Sequence, residues 1–266
     1  KVAKLRVLDP ACGSGSFLLG AYDWLLDWHL KYYLAHDPEK QLKARKPVLV
    51  LDSKREWRLS TQERKRILQA NLYGVDIDAQ AVEVTKLNLL LKCLEGETEQ
   101  TLQTQQQMFR ERVLPNIDGN IKCGNSLIGP DYYTGRLDYD EDEQRRVNAF
   151  DWQREFKEIM GAGGFDCVIG NPPYIRMETF KDIKWYLRQE YRSHDDRTDI
   201  YVYFIERSLK CLRPGGRFGM IVSNKFIRAN YGRNVRDVIT DGFQMTRITD
   251  FAGLPVFVGA TVRTVV

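Results

Sequence analysis

The chain has 266 residues, of which 43% are hydrophobic and 29% charged, so it can bury a sizeable core and has the composition of a globular protein. A formal net charge of +4 permits a polyanionic partner without demanding one. No apolar run approaches the roughly 20 residues that cross a bilayer, and the dispersed cysteines and histidines form no metal-binding pattern. We therefore expect no membrane contact, no bound metal, and reduced thiols in an intracellular compartment.

The first part of the chain alternates strand-like runs with helical patterns, which is typical of βαβ units and a mostly parallel sheet. LRVLD predicts a strand and DPACGSGSF a glycine loop, and LLGAYDWLLDWHLKYYL predicts a helix apolar enough around its circumference to be largely buried. The capping-box spacing of Ser60 and Glu63 predicts the start of another helix. NLYGVDI then predicts a strand, followed by a helix that Asp78 is placed to cap.

The rest of the chain continues the alternation. The Gln-rich run from residue 97 to about 116 predicts a surface insertion or a lid, and the charges between 130 and 150 predict a solvated loop or helix. The other predicted elements are, in order, a short strand NIKCGNSLI, a buried strand FDCVIG, helices over ETFKDIKWYLRQEYRS and DIYVYFIERSLKCL, a strand RFGMIVS, a basic helix NYGRNVRDVITDGF, and closing strands MTRITDFAG and GATVRTVV. Because both ends are strand-like and Lys1 is not methionine, we expect residues 1–266 to be one domain of a longer protein.

The glycine loop follows a strand and opens a helix, which is the setting in which a ligand approaches the backbone closely. Gly13 and Gly15 supply a GxG pattern, but Leu18 stands where a dinucleotide fingerprint has its third glycine. Asp9 would repel a pyrophosphate and suits a ligand that carries an amino group or a sulfonium. Both features count against a dehydrogenase. Taken alone, the loop is equally consistent with a strand-to-helix turn that binds no ligand.

Asp76 ends the strand NLYGVDI, where a carboxylate can accept hydrogen bonds from both hydroxyls of a ribose. Asp78 has the position of a helix cap, and we assign it that structural role. Asp9 and Asp76 would then both lie at the carboxyl ends of strands, where open α/β sheets bind their ligands.

The tetrapeptide NPPY, residues 171–174, ends a buried strand abruptly, because prolines lack the N–H donor and have a fixed φ. If the ligand at the glycine loop donates a methyl group from sulfur, this corner can hold the acceptor. The side-chain oxygen of Asn171 and the carbonyl oxygen of Pro172 would bind both N–H groups of an exocyclic amine and localise its lone pair. The ring of Tyr174 offers a surface on which a base stacks. The alternative is a turn in which Asn171 caps its own backbone and Tyr174 is core.

These motifs together resemble the S-adenosylmethionine-dependent N6-adenine DNA methyltransferases of the γ arrangement, in which the cofactor motif precedes the catalytic motif. The resemblance covers nearly the whole chain and is greatest to the methyltransferase portion of type IIG restriction-modification enzymes. The matching motifs are DPACGSGSF, GVDID, CGNSL, NPPY, DIYVYFIERSLKCLRPGG and VFVGATV. The implied fold is α/β and Rossmann-like, with a mostly parallel seven-stranded sheet, helices on both faces and an antiparallel C-terminal strand.

The resemblance implies a site-specific enzyme that transfers a methyl group from S-adenosylmethionine to the N6 amino group of an adenine flipped out of double-stranded DNA. Such an enzyme would act in a restriction-modification or related phage-defence system in the prokaryotic cytoplasm. We expect the family's cofactor-closing segment and its DNA-recognition domain to lie outside this chain, and the full-length protein to be a candidate for a nuclease segment.

The resemblance also assigns roles to individual residues. The cofactor-binding set is Asp9, Ala11, Gly13 and Gly15 at the methionine end, Asp76 at the ribose, and Ile77, Asn125 and Phe204 around the adenine, and the catalytic set is Asn171, Pro172 and Tyr174, with Phe257 stacking on the target base. Asn125 stands where the family often has an aspartate that binds the adenine amino group. For Phe204 and Phe257 the alternative is simple core packing.

A basic stretch, NKFIRANYGRNVRD, follows a predicted strand and is a candidate for contacts with DNA phosphates. Its cations are Lys225, Arg228, Arg233 and Arg236. A solvated helix face is an equally good interpretation of this pattern.

Two other functions remain open. The NPPY tetrapeptide also occurs in methyltransferases that act on RNA or on glutamine amide nitrogens of proteins, although VFVGATV and the large insertions favour DNA. The second alternative is a scaffold that binds cofactor or DNA without turnover, against which the intact Asn171, Pro172 and Tyr174 argue.

Overall fold

Five parallel strands form the central sheet of the computed structural model, which describes residues 1–52, 54–97, 114–136, 139–175, 179–251 and 264–266. These strands are β1 (Val7–Asp9), β4 (Leu72–Asp76), β5 (Ile121–Cys123), β6 (Phe165–Gly170) and β7 (Leu212–Met220), in the spatial order β5-β4-β1-β6-β7. The hairpin β2 (Leu49–Leu51) and β3 (Trp57–Leu59) stands apart, as does the antiparallel pair β8 (Val222–Ser223) and β9 (Thr264–Val265). The α/β class and the antiparallel C-terminal strand are confirmed.

The predicted count of seven strands is wrong for the described residues. Pairing between β6 and β7 ends at Met220, and the chain then pairs with β9 over only two residues. Thr249 and Val266 exchange backbone hydrogen bonds of 2.7 and 2.9 Å, so part of MTRITDFAG does lie antiparallel to the C-terminal strand. These pairings are too short to extend the main sheet.

The helices connect the strands on both faces of the sheet. They are α1 (Ser16–Leu34), α2 (Pro38–Leu42), α3 (Thr61–Asn71), α4 (Ala79–Leu94), α5 (Glu141–Val147), α6 (Trp152–Glu155), α7 (Lys157–Gly161), α8 (Lys184–Glu190), α9 (Tyr201–Lys210), α10 (Lys225–Arg228) and α11 (Arg233–Gly242). Short 3₁₀ turns lie at Val2–Lys4, Pro130–Tyr133, Lys181–Ile183 and Asn230–Gly232. Helices α1, α3 and α4 share one apolar cluster, whereas α9 and α11 share another. The alternation of Val7 and Leu8 between two clusters follows from the strand period of two.

Both caps that the sequence predicts are confirmed. The hydroxyl of Ser60 accepts a hydrogen bond from the Glu63 N–H at 3.2 Å and begins α3. The Asp78 carboxylate accepts one from the Gln80 N–H at 2.8 Å and begins α4. These caps satisfy donors that have no partner within the helix, which is why the two helices begin there.

Helix α1 is less buried than its composition suggests. Its buried residues are Leu18, Tyr22, Leu25 and His29, which form a single stripe. Trp24 on the outer side is 56% exposed. The expectation of a largely buried helix is wrong, because α3 and α4 cover only one side of α1 and the outer aromatic residues stay at the surface.

Within the part of the chain that the structure describes, no helix combines the length and apolarity required to cross a bilayer. Nor do His, Cys, Asp and Glu side chains gather there in a group that could hold a metal ion. Most of the Gln-rich insertion, residues 98–113, lies outside the described residues.

Candidate active site

The candidate residues come together at one edge of the sheet. Asp9 ends β1, Asp76 ends β4, and Asn171 directly follows β6. Strands β4, β1 and β6 are parallel neighbours, so their carboxyl ends meet at the same edge. Strand β4 lies on one side of β1 in the sheet, and β6 lies on the other side. The strand order therefore reverses at β1, and such a reversal opens a crevice for a ligand.

The glycine loop is held by side chains from β4 and α4. The Gly13 N–H donates to Asp76 Oδ2 at 2.8 Å. Thr85 Oγ1 donates to the Gly13 carbonyl at 2.6 Å, and Asn88 Nδ2 donates to the Ser14 carbonyl at 3.0 Å. Sequence reasoning missed Thr85 and Asn88, whose three-residue spacing on α4 places them on one side of that helix.

Two glycines give the loop its path. Gly13 and Gly15 have φ values of +52° and +86°, which lie in the left-handed region. A Cβ at Gly15 would lie 2.9 Å from Thr85 Cγ2, whereas a Cβ at Gly13 would meet nothing within 4 Å. Gly15 therefore permits close packing against α4, and Gly13 leaves open space beside the loop.

Asp9 is a carboxyl group that lies buried beside the glycine loop. It is 1% exposed, and its Oδ1 accepts a hydrogen bond from the Ala11 N–H at 3.0 Å. Burial raises the pKa of Asp9 to about 7, the Ala11 N–H opposes this shift, and the nearby Asp76 adds to it. Among the described lysines and arginines none pairs with Asp9. A ligand with a positive charge would complete this environment.

Asp76 and Ile77 lie beside the loop with the properties expected at a nucleoside. Asp76 accepts from the Gly13 N–H and, at 3.0 Å, from the Asp78 N–H, so its orientation is fixed while each oxygen keeps acceptor capacity. Ile77 is 50% exposed, which leaves an apolar side chain for an aromatic ring to cover. With the buried Asp9, these residues fit S-adenosylmethionine, which combines an adenosine with a sulfonium and an amino group.

Asn125 lies at the same edge after β5. Its Oδ1 accepts from the Leu127 N–H at 3.1 Å, and its own N–H donates to the Asn148 carbonyl at 2.7 Å. The next residue, Ser126, donates to the Pro10 carbonyl at 2.6 Å and ties this segment to the glycine loop. Ser126 is a further positioning residue that the motif CGNSL did not single out.

Phe204 lies on α9 and is only 7% exposed, within an apolar cluster that also contacts Ala11. Core packing is thus one of its roles, and contact with the cofactor adenine stays a prediction. Phe257 lies outside the described residues, so its role also stays a prediction.

The NPPY corner begins next to Asp9. A Cβ at Gly170 would lie 2.8 Å from Asp9 Oδ1, so a larger residue before Asn171 would force the Asp9 carboxyl group to shift. The Ile221 N–H donates to the Gly170 carbonyl at 3.0 Å and fixes the strand end. Pro172 is buried. The structure therefore brings the acidic end of the glycine loop into contact with the start of the corner.

Tyr174 is half-buried between the corner and α9. Its hydroxyl lies 3.1 Å from Asn171 Oδ1 and 3.1 Å from the Ile221 carbonyl oxygen. Its ring centroid is 6.0 Å from that of Tyr201, at an angle of 50°. Burial raises the pKa of Tyr174 to about 12. Asn171 Oδ1 thus faces a side-chain hydroxyl, and the stacking of Tyr174 on a base stays a prediction.

The basic stretch divides into two groups. Lys225, Arg228 and Arg233 are exposed. Arg236 instead donates to the carbonyl oxygens of Phe226 and Ala229, at 2.5 and 3.1 Å. Arg236 therefore helps to close the end of α10, and its contact with DNA stays a prediction.

Comparison with known proteins identifies the family. The model of the Eco57I restriction-modification methylases matches residues 70–257. The chain belongs to that family. A model named N-6 DNA Methylase also matches residues 1–121, so the family that the motifs predict is confirmed.

Relatives of this Eco57I-family chain are longer proteins. It is 31% identical over 269 residues to the type II restriction enzyme and methyltransferase RM.Eco57I of Escherichia coli, covering 99% of this chain and 24% of that protein. It is 42% identical over 101 residues to the type II methyltransferase M.BstVI of Geobacillus stearothermophilus, covering 37% of this chain and 17% of that protein. The matched residues span about a quarter or less of the length of these relatives.

Solved structures show the same fold. The Type ISP restriction-modification enzyme LlaGI, in complex with a DNA substrate mimic, aligns with a TM-score of 0.58 at 15% identity over 98% of this chain and 20% of that one. The DrdV–DNA complex aligns with a TM-score of 0.57 at 16% identity over 100% of this chain and 23% of that one. At these identities the likeness establishes the Rossmann-like methyltransferase fold alone.

Proposed function

We propose that residues 1–266 are the catalytic domain of an adenine-specific DNA methyltransferase, which uses S-adenosylmethionine and acts on the N6 amino group of a flipped-out base. The observation that carries the proposal is the contact between the end of β1 and the end of β6. Asp9 Oδ1 lies 2.8 Å from where a Gly170 Cβ would be, so a site for a cationic ligand adjoins the corner at Asn171. In an Eco57I-family chain, this arrangement supports methyl transfer to an amine.

The residues around the glycine loop would hold the cofactor. Ionised Asp9 offsets the positive charge of the methionine end, and Asp76 binds the ribose. Ile77 covers the adenine ring with its exposed side chain. The cofactor supplies an electrophilic methyl group on sulfur.

The corner would hold the acceptor. Asn171 Oδ1 and the Pro172 carbonyl each accept one N–H of the target amine, which draws its lone pair out of the aromatic ring. Pro173 restricts the backbone, so the two oxygens keep their spacing. The ring of Tyr174 stacks on the base and favours the positive charge that develops on the nitrogen.

The wider setting of the proposal is a restriction-modification or related defence system of prokaryotes. RM.Eco57I is named as both restriction enzyme and methyltransferase, and this chain covers 24% of it. We accordingly place sequence recognition of double-stranded DNA, and any nuclease activity, in other parts of the full-length protein.

The test is made on the full-length protein in a bacterial host that lacks DNA methylation. Long-read sequencing of the host genome should show N6-methyladenine at one recurring sequence. Asn171→Ala should reduce its formation by about a hundredfold or more, because one of two oriented acceptors is lost. Asn116→Ala, at an exposed asparagine before the start of β5, should leave methylation unchanged.

Incubation of the same protein with radiolabelled cofactor and DNA, RNA or protein separates the alternatives. Label in RNA or in protein glutamine, with none in DNA, would redirect the substrate assignment. Cofactor binding with no labelled product in any arm would favour the scaffold. Full methylation by the Asn171→Ala variant would contradict the proposed mechanism.

A further inference from the structure

The hydroxyl of Tyr174 lies between two oxygen atoms, Asn171 Oδ1 and the Ile221 carbonyl oxygen, each 3.1 Å away. A tyrosine hydroxyl carries one hydrogen, so it can donate to only one of these oxygens at a time. The oxygen that does not receive the hydrogen then faces the hydroxyl without a proton between them. To remove this unfavourable contact between two oxygens, one of the three groups (the Tyr174 hydroxyl, the Asn171 amide or the Ile221 carbonyl) must change its orientation.

The Ile221 carbonyl cannot change its orientation, because the backbone of Ile221 is fixed at the edge of the sheet. Its N–H donates to the Gly170 carbonyl at 3.0 Å, and the residue is buried. Burial raises the pKa of Tyr174 to about 12, so the hydroxyl keeps its hydrogen at neutral pH. The Asn171 amide can change, since the terminal torsion of asparagine is soft and roughly two-fold.

We propose that the Tyr174 hydroxyl is a positioning group for Asn171: it donates to the Ile221 carbonyl oxygen and accepts from Asn171 Nδ2 once the amide has turned by half a rotation. The Tyr174 hydroxyl then donates its one hydrogen to the Ile221 carbonyl oxygen and accepts one N–H of the Asn171 amide, so neither contact lacks a hydrogen. Asn171 Oδ1 is turned away from Tyr174 and is available to the N–H of the target amine. This inference deepens the proposed function and rests on it.

The orientation matters because the two ends of an amide have opposite hydrogen-bonding character. With Asn171 Oδ1 facing the target amine, the amine N–H meets an acceptor, and the lone pair of the amine is localised. With Nδ2 facing the amine instead, two donors would meet and that acceptor would be missing. An aspartate has two equivalent oxygens, so it presents an acceptor to the amine in either orientation. Asn171→Asp therefore removes the need for a positioning group.

The experiment is a double-mutant cycle on the full-length protein, with single-turnover methyl transfer to DNA as the readout. Tyr174→Phe keeps the ring for stacking and removes the hydroxyl, and we expect a rate about tenfold lower, the typical value of one hydrogen bond. On the Asn171→Asp background the same change should alter the rate by less than about twofold. The dissociation constants for cofactor and DNA should stay within about twofold throughout.

Tyr201→Phe is the matched control. Its hydroxyl lies 3.2 Å from that of Tyr231, and its ring is the neighbour of Tyr174, so the change deletes a nearby hydroxyl without touching Asn171. We expect a rate within about twofold of wild type. If the Asn171→Asp protein is too slow to follow, a loss specific to Tyr174→Phe supports the inference, and equal losses in the two phenylalanine variants overturn it.

The remaining outcomes separate the inference from the function on which it rests. Equal losses from Tyr174→Phe on both backgrounds would mean a general structural role and would overturn the inference, as would a Tyr174→Phe protein with the wild-type rate. In both cases an active wild-type protein leaves the proposed function standing. A wild-type protein that transfers no methyl group to DNA overturns both.

Discussion

At Asp9, burial favours the protonated carboxyl group, whereas a cationic ligand would favour the ionised one. The carboxyl is 1% exposed, and its pKa is raised to about 7 by burial. Without a ligand, the protonated form is favoured below that pH. A cationic ligand stabilises the ionised form, so binding of such a ligand and loss of the proton are linked.

This linkage predicts that cofactor affinity depends on pH. The ionised fraction of Asp9 falls from most of the population at pH 8 to a minor part at pH 6, so the dissociation constant of S-adenosylmethionine should rise by about tenfold as the pH is lowered over that interval. Asp9→Asn should bind more weakly and lose this dependence. Isothermal titration calorimetry at several pH values measures both effects.

The control for this prediction is Asp78→Asn. Asp78 is an exposed carboxylate close to the loop that caps α4, and asparagine caps equally well. This variant should keep the pH dependence of the wild type. The same slope in the wild-type and Asp9→Asn proteins would show that another group is responsible.

Residue types and spacing were enough to place Asp9, Asp76 and Asn171 at one edge of the sheet, because each ends or directly follows a strand whose pattern is visible in the sequence. They did not reveal the residues that hold this group in place. Thr85, Asn88 and Ser126 contact backbone carbonyls of the loop across 72, 74 and 116 residues of sequence. Such contacts depend on how helices pack against strands, which no local pattern contains.

At the scale of elements, the sequence predicted where helices start more accurately than it predicted how deeply they are buried. Side-chain oxygens of Ser60 and Asp78 cap their helices as expected, since capping involves only residues within one turn. The burial of α1 was misjudged, because composition does not tell how many neighbours cover a helix. The same limit applies to the basic stretch, where only the fold shows that Arg236 bonds to backbone carbonyls.

The junction between the glycine loop and α1 gives a prediction at this scale. Gly15→Ala would require a left-handed φ of +86° and would place a Cβ 2.9 Å from Thr85 Cγ2. We expect a loss of about 1–3 kcal/mol in stability and weaker cofactor binding, because the loop must shift. Thermal unfolding and calorimetry of the full-length protein report these quantities.

Gly20→Ala is the matched control for Gly15→Ala. Gly20 lies within α1, is exposed, and a Cβ there would meet nothing within 4 Å. Alanine at this position should raise stability by about 0.5–1 kcal/mol, since glycine is a poor helix former. Equal effects of the two substitutions would contradict the importance of the contact between Gly15 and Thr85.

At the scale of the whole molecule, the order of strands assembles the site. The cofactor motifs lie on β1, β4 and β5, and the NPPY corner ends β6 on the opposite side of β1. The alternation of strands and helices was enough to predict this class of sheet. The number of strands was not predictable, because pairings of two residues, such as that between β8 and β9, depend on tertiary contacts.

The same edge leads to a group of exposed cations that are candidates for contacts with the DNA backbone. Strand β8 and helix α10 follow the carboxyl end of β7, and Lys225, Arg228 and Arg233 are exposed there. If these cations contact phosphates, replacing all three with alanine should lower the slope of log affinity against log salt concentration by about 2–3. Binding should weaken similarly for cognate and non-cognate DNA, because phosphate contacts carry no sequence information.

A second triple variant separates this local effect from loss of net charge. It replaces three exposed lysines: Lys31 at the far end of α1, Lys40 on α2, and Lys43 directly after α2. Helix α1 starts at the site edge and is 19 residues long, so Lys31 in its last turn lies roughly 22 Å away, which exceeds a Debye length of about 8 Å at physiological salt. The salt slope of this variant, measured by fluorescence anisotropy, should match that of the wild type. Equal slopes for the two triple variants would place the DNA-backbone contacts elsewhere in the protein.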